Sequence, residues 1–252
     1  MMIRRRKDEV LTDLPPKHRN TVLIEGNVHK ELAESLTKLR NSKSNLEDFW
    51  DDRRKRDLLI TSCYRETCKS KLDSVKAYIE TFIECCDDKI IIFAHHHVML
   101  DAIQVQVEAM NLQHIRIDGS VPPGARFQLV DEFQTDEKCR IAIISITAGG
   151  TGVTLNAASK VIFAELYWTP SLLLQAEDRA HRIGQQNHVS VYYLIAQNTF
   201  DQVLWSIIRK KINVVSRSLD GEVREFDATA TESFPNEEEE LESLSSELLK
   251  EL

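Results

Sequence analysis

Residues 175–185 read QAEDRAHRIGQ. Placed on an α-helix, Gln175, Asp178, Arg179 and Arg182 fall at i, i+3, i+4 and i+7 and so share one face. Arginine does not lose its charge, and its planar fork of N–H donors matches phosphate oxygens. Two such forks on one face, close to strand ends, suit a triphosphate. The same face would equally serve as a solvated surface laced with internal ion pairs. Asp178 is placed to tie down one arginine or an adjacent backbone group.

A second chemical stretch is ITAGGTGVTL at 146–155. Gly149, Gly150 and Gly152 let the backbone approach a phosphate closely, while Thr147, Thr151 and Thr154 add hydroxyl donors. A tight turn is the plainer use of such a loop. It lacks the G-x-x-x-x-G-K-[ST] pattern, which needs a lysine for the phosphates and a hydroxyl for magnesium, since Gly152 is followed by Val153. Three consecutive histidines, His95 to His97, invite a metal. Neighbours on a strand end point in opposite directions, however, and no second cluster has ligand spacing, so we expect none.

These groups need a frame to hold them. From residue 88, short apolar runs alternate with helical segments. Strands are expected at 89–94, 114–118, 140–145, 160–165 and 188–196, with helices over about 96–110, from the PPGAR stretch onward, over 170–183 and over 199–217. Such alternation builds an α/β fold, a doubly wound parallel sheet. Ligands of these sheets sit at the carboxyl ends of the strands, which is where we expect the arginines, histidines and glycines. Upstream lie a basic segment (1–20), a strand at 21–25, a helix over 28–40 and a helical stretch over 46–86 read as two or three helices. The domains follow as a linker (1–20), a helical insertion (21–87), an α/β lobe (88–221) and an acidic tail (222–252).

The net charge of −8 argues against nucleic acid only until its distribution is examined. Residues 222–252 hold eleven acids and two bases, which leaves the body at +1 with basic clusters at 4–7 and 53–56. We expect the tail to be disordered. Its leucines Leu241, Leu244, Leu248, Leu249 and Leu252 nonetheless recur at helical spacing and would suit a partner's groove. The five scattered cysteines read as reduced thiols of a cytosolic or nuclear protein. No apolar run reaches the roughly 18 residues of a membrane span, and no secretory leader opens the chain.

Six stretches in order carry a resemblance. QAEDRAHRIGQ resembles motif six, and ITAGGTGVTL motif five, of the Swi/Snf-type helicase-like ATPases of helicase superfamily two. KIIIFAHH is similar to motif four, IRIDGSVPPGAR to the stretch after it, and FAELYWTP to the segment between motifs five and six. IRRRKDEVLTDLPPK looks like the linker between the two motor lobes. Within the family, the pattern is most similar to the annealing helicases, the fork-remodelling branch that rewinds DNA.

The resemblance implies a RecA-like second lobe with an N-terminal helical insertion. It assigns Arg182 as the arginine finger reaching the γ-phosphate, Arg179 as its companion, and Gln175 as a sensor of nucleotide or of the other lobe. Thr147, Gly149, Gly150 and Gly152 would link DNA-backbone contact to the nucleotide cleft. His95, His96 and Trp168 would lie near the DNA, with Arg116 and Arg126 on its phosphates. The first lobe of the family supplies the lysine loop and acidic pair that hold ATP and magnesium. No GKT, GKS or DEAH-like box occurs here. The chain therefore reads as a second lobe only, inactive by itself, partnered by a first lobe and by DNA bound without sequence preference, in the nucleus. The Met-Met start inside a linker-like segment points to a fragment. A chromatin-remodelling lobe and a truncated, non-hydrolysing binding module are the alternatives, and the tail's partner stays open.

Overall fold

The computed structural model describes residues 14–41, 53–148, 153–220 and 228–230. Strands β1 (Lys17–Ile24), β2 (Ile90–Ala94), β3 (Gln113–Ile117), β4 (Cys139–Ser145), β5 (Lys160–Phe163), β6 (Val189–Ala196) and β7 (Ala228–Ala230) form one sheet in the order β3-β4-β2-β5-β6-β1-β7. Every pairing is parallel. Helices are α1 (Lys30–Asn41), α2 (Arg53–Glu84), α3 (His97–Ala109), α4 (Pro123–Thr135), α5 (Pro170–Ala180) and α6 (Phe200–Asp220).

The central strands are mostly apolar because both of their faces are covered. In β2, Ile91 and Phe93 enter one core with Ala142, Ile144, Val161 and Phe163. The alternate residues Ile90, Ile92 and Ala94 enter a second core with Ile141, Ile143 and Ile162. Residues of α4, α5 and α6 close the first core, and those of α3 close the second. On α3 the buried set is Met99, Leu100, Ile103 and Val107, one stripe of a helix. That helix stops where Asn111 takes φ 56°, a left-handed conformation that asparagine tolerates better than most residues. Pro123 and Pro170 each sit at the start of a helix, where a missing N–H costs nothing. The doubly wound parallel α/β architecture is the expected one.

Three elements differ from expectation. The stretch read as two or three helices is, over its described part, the single 32-residue helix α2. It contains neither glycine nor proline, so nothing breaks it. Its burial switches partners instead: Ile60, Cys63 and Tyr64 pack in the first core, and Cys68, Val75, Ile79 and Ile83 in the second. A change of partner blurs the apolar repeat without bending the backbone. β1 opens at Lys17 rather than at residue 21, with Lys17 in register with Val189. Its polar KHRN start hid the strand, because two of those side chains are neutralised by a distant helix (below). Finally, residues 228–230 of the tail expected to be disordered form β7 alongside β1. The leucines of the tail lie outside the described residues.

Candidate functional site

The arginine-bearing turn lies at the opposite edge of the sheet from the one expected. Helix α5 starts after β5, at the carboxyl edge, and runs back for 11 residues, about 16 Å at 1.5 Å each. Its last turn therefore reaches the amino edge. Gln185 Nε2 donates to Ala180 O and to Ala158 O, just ahead of β5, and His181 Nε2 lies 2.7 Å from Pro15 O, just ahead of β1. The helix ends at Ala180, so Arg182 sits beyond it and the four-residue face is not continuous. Gln175 is exposed one turn before Arg179.

Arg179 and Arg182 nevertheless converge. Arg179 Nη1 donates to Val153 O at 3.3 Å, and Arg182 Nη1 donates to Thr154 Oγ1 at 3.0 Å. Leu155 N donates to Arg179 O, which fixes the turn against the same segment. Burial, and then the charge of Arg182, hold the Arg179 guanidinium below its ordinary value, with Asp178 opposing. Arg179 Nε is buried and has no hydrogen-bond partner among the described residues. Two neighbouring cations, one of them with an unused buried donor, favour an anion between them. Asp178 also reaches across to β1, where its carboxylate accepts from Lys17 Nζ at 3.3 Å.

Glu177, between these residues, was not singled out in the sequence. Its side chain is fully buried. It accepts Lys17 Nζ (2.7 Å), Arg19 Nε and Nη2 (2.7 Å each) and the Tyr193 hydroxyl (2.7 Å). Burial alone would raise its pKa, but Lys17 and Arg19 outweigh this and bring it down to about 2. No short-range pattern could reveal it, since Arg19 lies 158 positions away.

The described ends of segment 146–155 lie at the two edges of the sheet. At its start, Ile146 N donates to Ala94 O at the end of β2, and exposed Thr147 shares a 3.0 Å hydrogen bond with Ser145. Gly149, Gly150, Thr151 and Gly152 lie outside the described residues. At its end, Gln134 of α4 grips the chain, donating to Thr154 O and Asn156 Oδ1 and accepting from Ala157 N. Gly184 is bound to be small here: it has φ +98°, and a Cβ would lie 2.6 Å from the Asn156 amide.

At the carboxyl edge, His95, His96 and Trp168 do come together, around a residue the sequence left unmarked. Tyr64 of α2 stacks with His95, tilts against His96 and meets Trp168 edge-on, with ring centroids 4.6 to 5.6 Å apart. Its hydroxyl donates to Leu166 O at 2.6 Å. Buried Glu165 accepts the backbone N–H groups of His95 and His96 (2.8 Å each) and lies 2.6 Å from His96 Nδ1. These bonds and the Lys71 charge keep its carboxyl below the usual range despite burial. Cys68, His96 and Glu165 bring potential ligand atoms within 4.8 Å of one another. The carboxylate is already committed to N–H donors and faces the Lys71 cation, so the cluster is better described as a polar anchor between the ends of β2 and β5. Lys71 itself is buried and paired with Asp201 at 2.8 Å.

Arg116 and Arg126 serve the protein's own loop. Arg116 is paired with Asp101 at 2.7 Å and Asp118 at 2.9 Å. Arg126 donates to the backbone oxygens of Val121 and Asp118. Together they shape the turn at 118–121.

The sheet is thus wound on both sides, with a paired-arginine turn at one edge and a threonine–histidine rim at the other. The helicase conserved C-terminal domain family matches residues 70–184. The chain is 41% identical over 237 residues to the DNA annealing helicase and endonuclease ZRANB3 of Mus musculus, covering 91% of this chain and 21% of that protein. It is 42% identical over 220 residues to the SWI/SNF-related matrix-associated actin-dependent regulator of chromatin subfamily A-like protein 1 homolog of Caenorhabditis elegans, covering 86% and 31%. The crystal structure of the C-terminal part of the Fun30 ATPase domain superposes with a TM-score of 0.64 over 84% of this chain and 100% of that one, at 19% identity, a likeness of fold. The chain belongs to the Swi/Snf-related helicase family as its C-terminal RecA-like lobe, and it spans less than a third of the length of these two relatives.

Proposed function

We propose that this lobe completes the nucleotide pocket, and forms half of the DNA track, of an ATP-dependent double-stranded DNA translocase that anneals strands during fork remodelling or repair in the nucleus. The observation that carries this reading is the convergence of Arg179 and Arg182 on residues 153–154, at one end of a segment whose other end reaches the carboxyl edge.

Arg182, exposed and bonded through Nη1 to Thr154 Oγ1, is the group to reach the terminal phosphate of ATP held by a first lobe. Arg179, less exposed, stabilises charge beside it. The pair donates to a carbonyl and a hydroxyl, and magnesium is assigned to the first lobe. Thr147 and the glycines after it, with His95, His96 and Trp168, form the DNA side. Because 146–155 touches both edges, a shift of the DNA backbone at Thr147 is passed to Val153 and Thr154, and from there to the arginines. The lobe by itself neither hydrolyses ATP nor translocates.

An intact motor carrying this lobe tests the reading. An arginine finger contributes roughly 10³- to 10⁵-fold to turnover. Arg182→Ala should lower DNA-stimulated ATP hydrolysis by about that factor while ATP and fork-DNA binding change less than fivefold. Hydrolysis surviving within tenfold of wild type removes the finger assignment. Strand annealing on forked DNA, rather than nucleosome sliding, is the expected output, and duplex DNA should stimulate the ATPase more than RNA does.

A further inference from the structure

We infer that Glu177 is a positioning residue: it clamps the strand that follows the inter-lobe linker to the helix that carries the two arginines, so that movement of the linker is transmitted to Arg179 and Arg182. The inference rests on the function proposed above and extends it.

The clamp has contacts at several levels along one helical turn. Pro15 O is 2.7 Å from His181 Nε2, Lys17 Nζ reaches both Glu177 and Asp178, and Arg19 grips Glu177 with two parallel N–H bonds. Residues 177, 178 and 181 alternate in sequence with Arg179 and Arg182. The turn is thus held by β1 on one side and by segment 153–155 on the other, through Arg179 Nη1, Arg182 Nη1 and the Leu155–Arg179 backbone bond. Tyr193 of β6 supplies a further bond, so the carboxylate also joins the strand beside β1.

A role in fold stability alone is a weak account of this arrangement. A buried ion pair is often no more stabilising than apolar residues of similar volume. What the charges add is direction: a two-toothed Arg19–Glu177 contact resists rotation as well as separation. β1 is the first described element after the segment that resembles the linker, and displacing it would carry the arginine turn with it.

The test uses an intact motor carrying Arg19→Met, Glu177→Gln or both, with each variant's folded fraction measured first. Positioning predicts that kcat for DNA-stimulated ATP hydrolysis, per folded molecule, falls at least tenfold while KM for ATP stays within twofold. The double variant should be no worse than the poorer single one. Unchanged kcat per folded molecule, or losses that multiply, overturns the inference. If Glu177→Gln does not fold, Lys17→Met takes its place under the same criteria. Should the unaltered motor itself lack ATPase activity, it is the proposed function that fails. The clamp is then read in the 252-residue chain by hydrogen exchange. Arg19→Met should speed exchange of the Arg179 to Arg182 amides at least tenfold, and unchanged protection there overturns the clamp.

Discussion

Glu177 shows how much one side chain can decide. Its folded pKa of about 2 lies below the ordinary carboxyl value of 4.5. A carboxyl with a depressed folded pKa stabilises above its unfolded pKa, and this contribution is lost as pH falls through the folded value. The shift corresponds to about 3 kcal/mol at 1.36 kcal/mol per unit. We expect denaturant unfolding of the chain to show stability falling between pH 4.5 and about 2, and Glu177→Gln to flatten that slope. Thiols give a second test. Burial pushes Cys63 up to about 12 and Cys139 up to about 11, and raises Cys68 as well. Cys85 is exposed and Cys86 partly so. A disulfide reagent on the native protein should titrate Cys85 and Cys86 rapidly and the other three only on unfolding. The arginines were legible from type and spacing, because a run of planar donors is a local signal. Glu177, Glu165 and Tyr64 were not, because a buried polar residue declares itself only when its distant partners arrive.

At the scale of elements, junctions carry the precision. Gly184 turns the chain out of the arginine stretch at φ +98°. Gly184→Ala should destabilise by about 1–2 kcal/mol through backbone strain, with displacement of Asn156, as a lowered melting temperature will show. Lys71 and Asp201 join α2 to the start of α6 as a buried pair. Removing one partner leaves an uncompensated buried charge and costs about 3–5 kcal/mol, whereas Lys71→Met together with Asp201→Leu should recover most of that loss in urea unfolding. The strands were readable because continuous apolar runs mark a doubly covered sheet. The unity of α2 and the true start of β1 were not. In both, the residues that mislead are those whose partners lie on other elements: a helix serving two cores, and a charged strand paired with a helix.

Across the whole molecule, the proposed function assigns one edge of the sheet to nucleotide and the other to DNA. The fold class followed from the alternation of strands and helices. The edge occupied by the arginines did not, since that depends on α5 being long enough to run the depth of the sheet. Phosphate-backbone contact predicts that the intact motor's DNA affinity falls steeply with salt, about 0.9 in log K per log salt for each contact. Replacing Thr147 with valine should leave ATP affinity alone and reduce stimulation of the ATPase by DNA.

β7 has a consequence of another kind. It lies against β1, at the end of the sheet away from β3. Without it, Arg19 to Thr21 of β1 would lose the strand beside them, and an open strand edge is the usual seed of self-association. A version shortened to residue 220 should keep its helical signal yet scatter light at concentrations where the 252-residue chain stays clear.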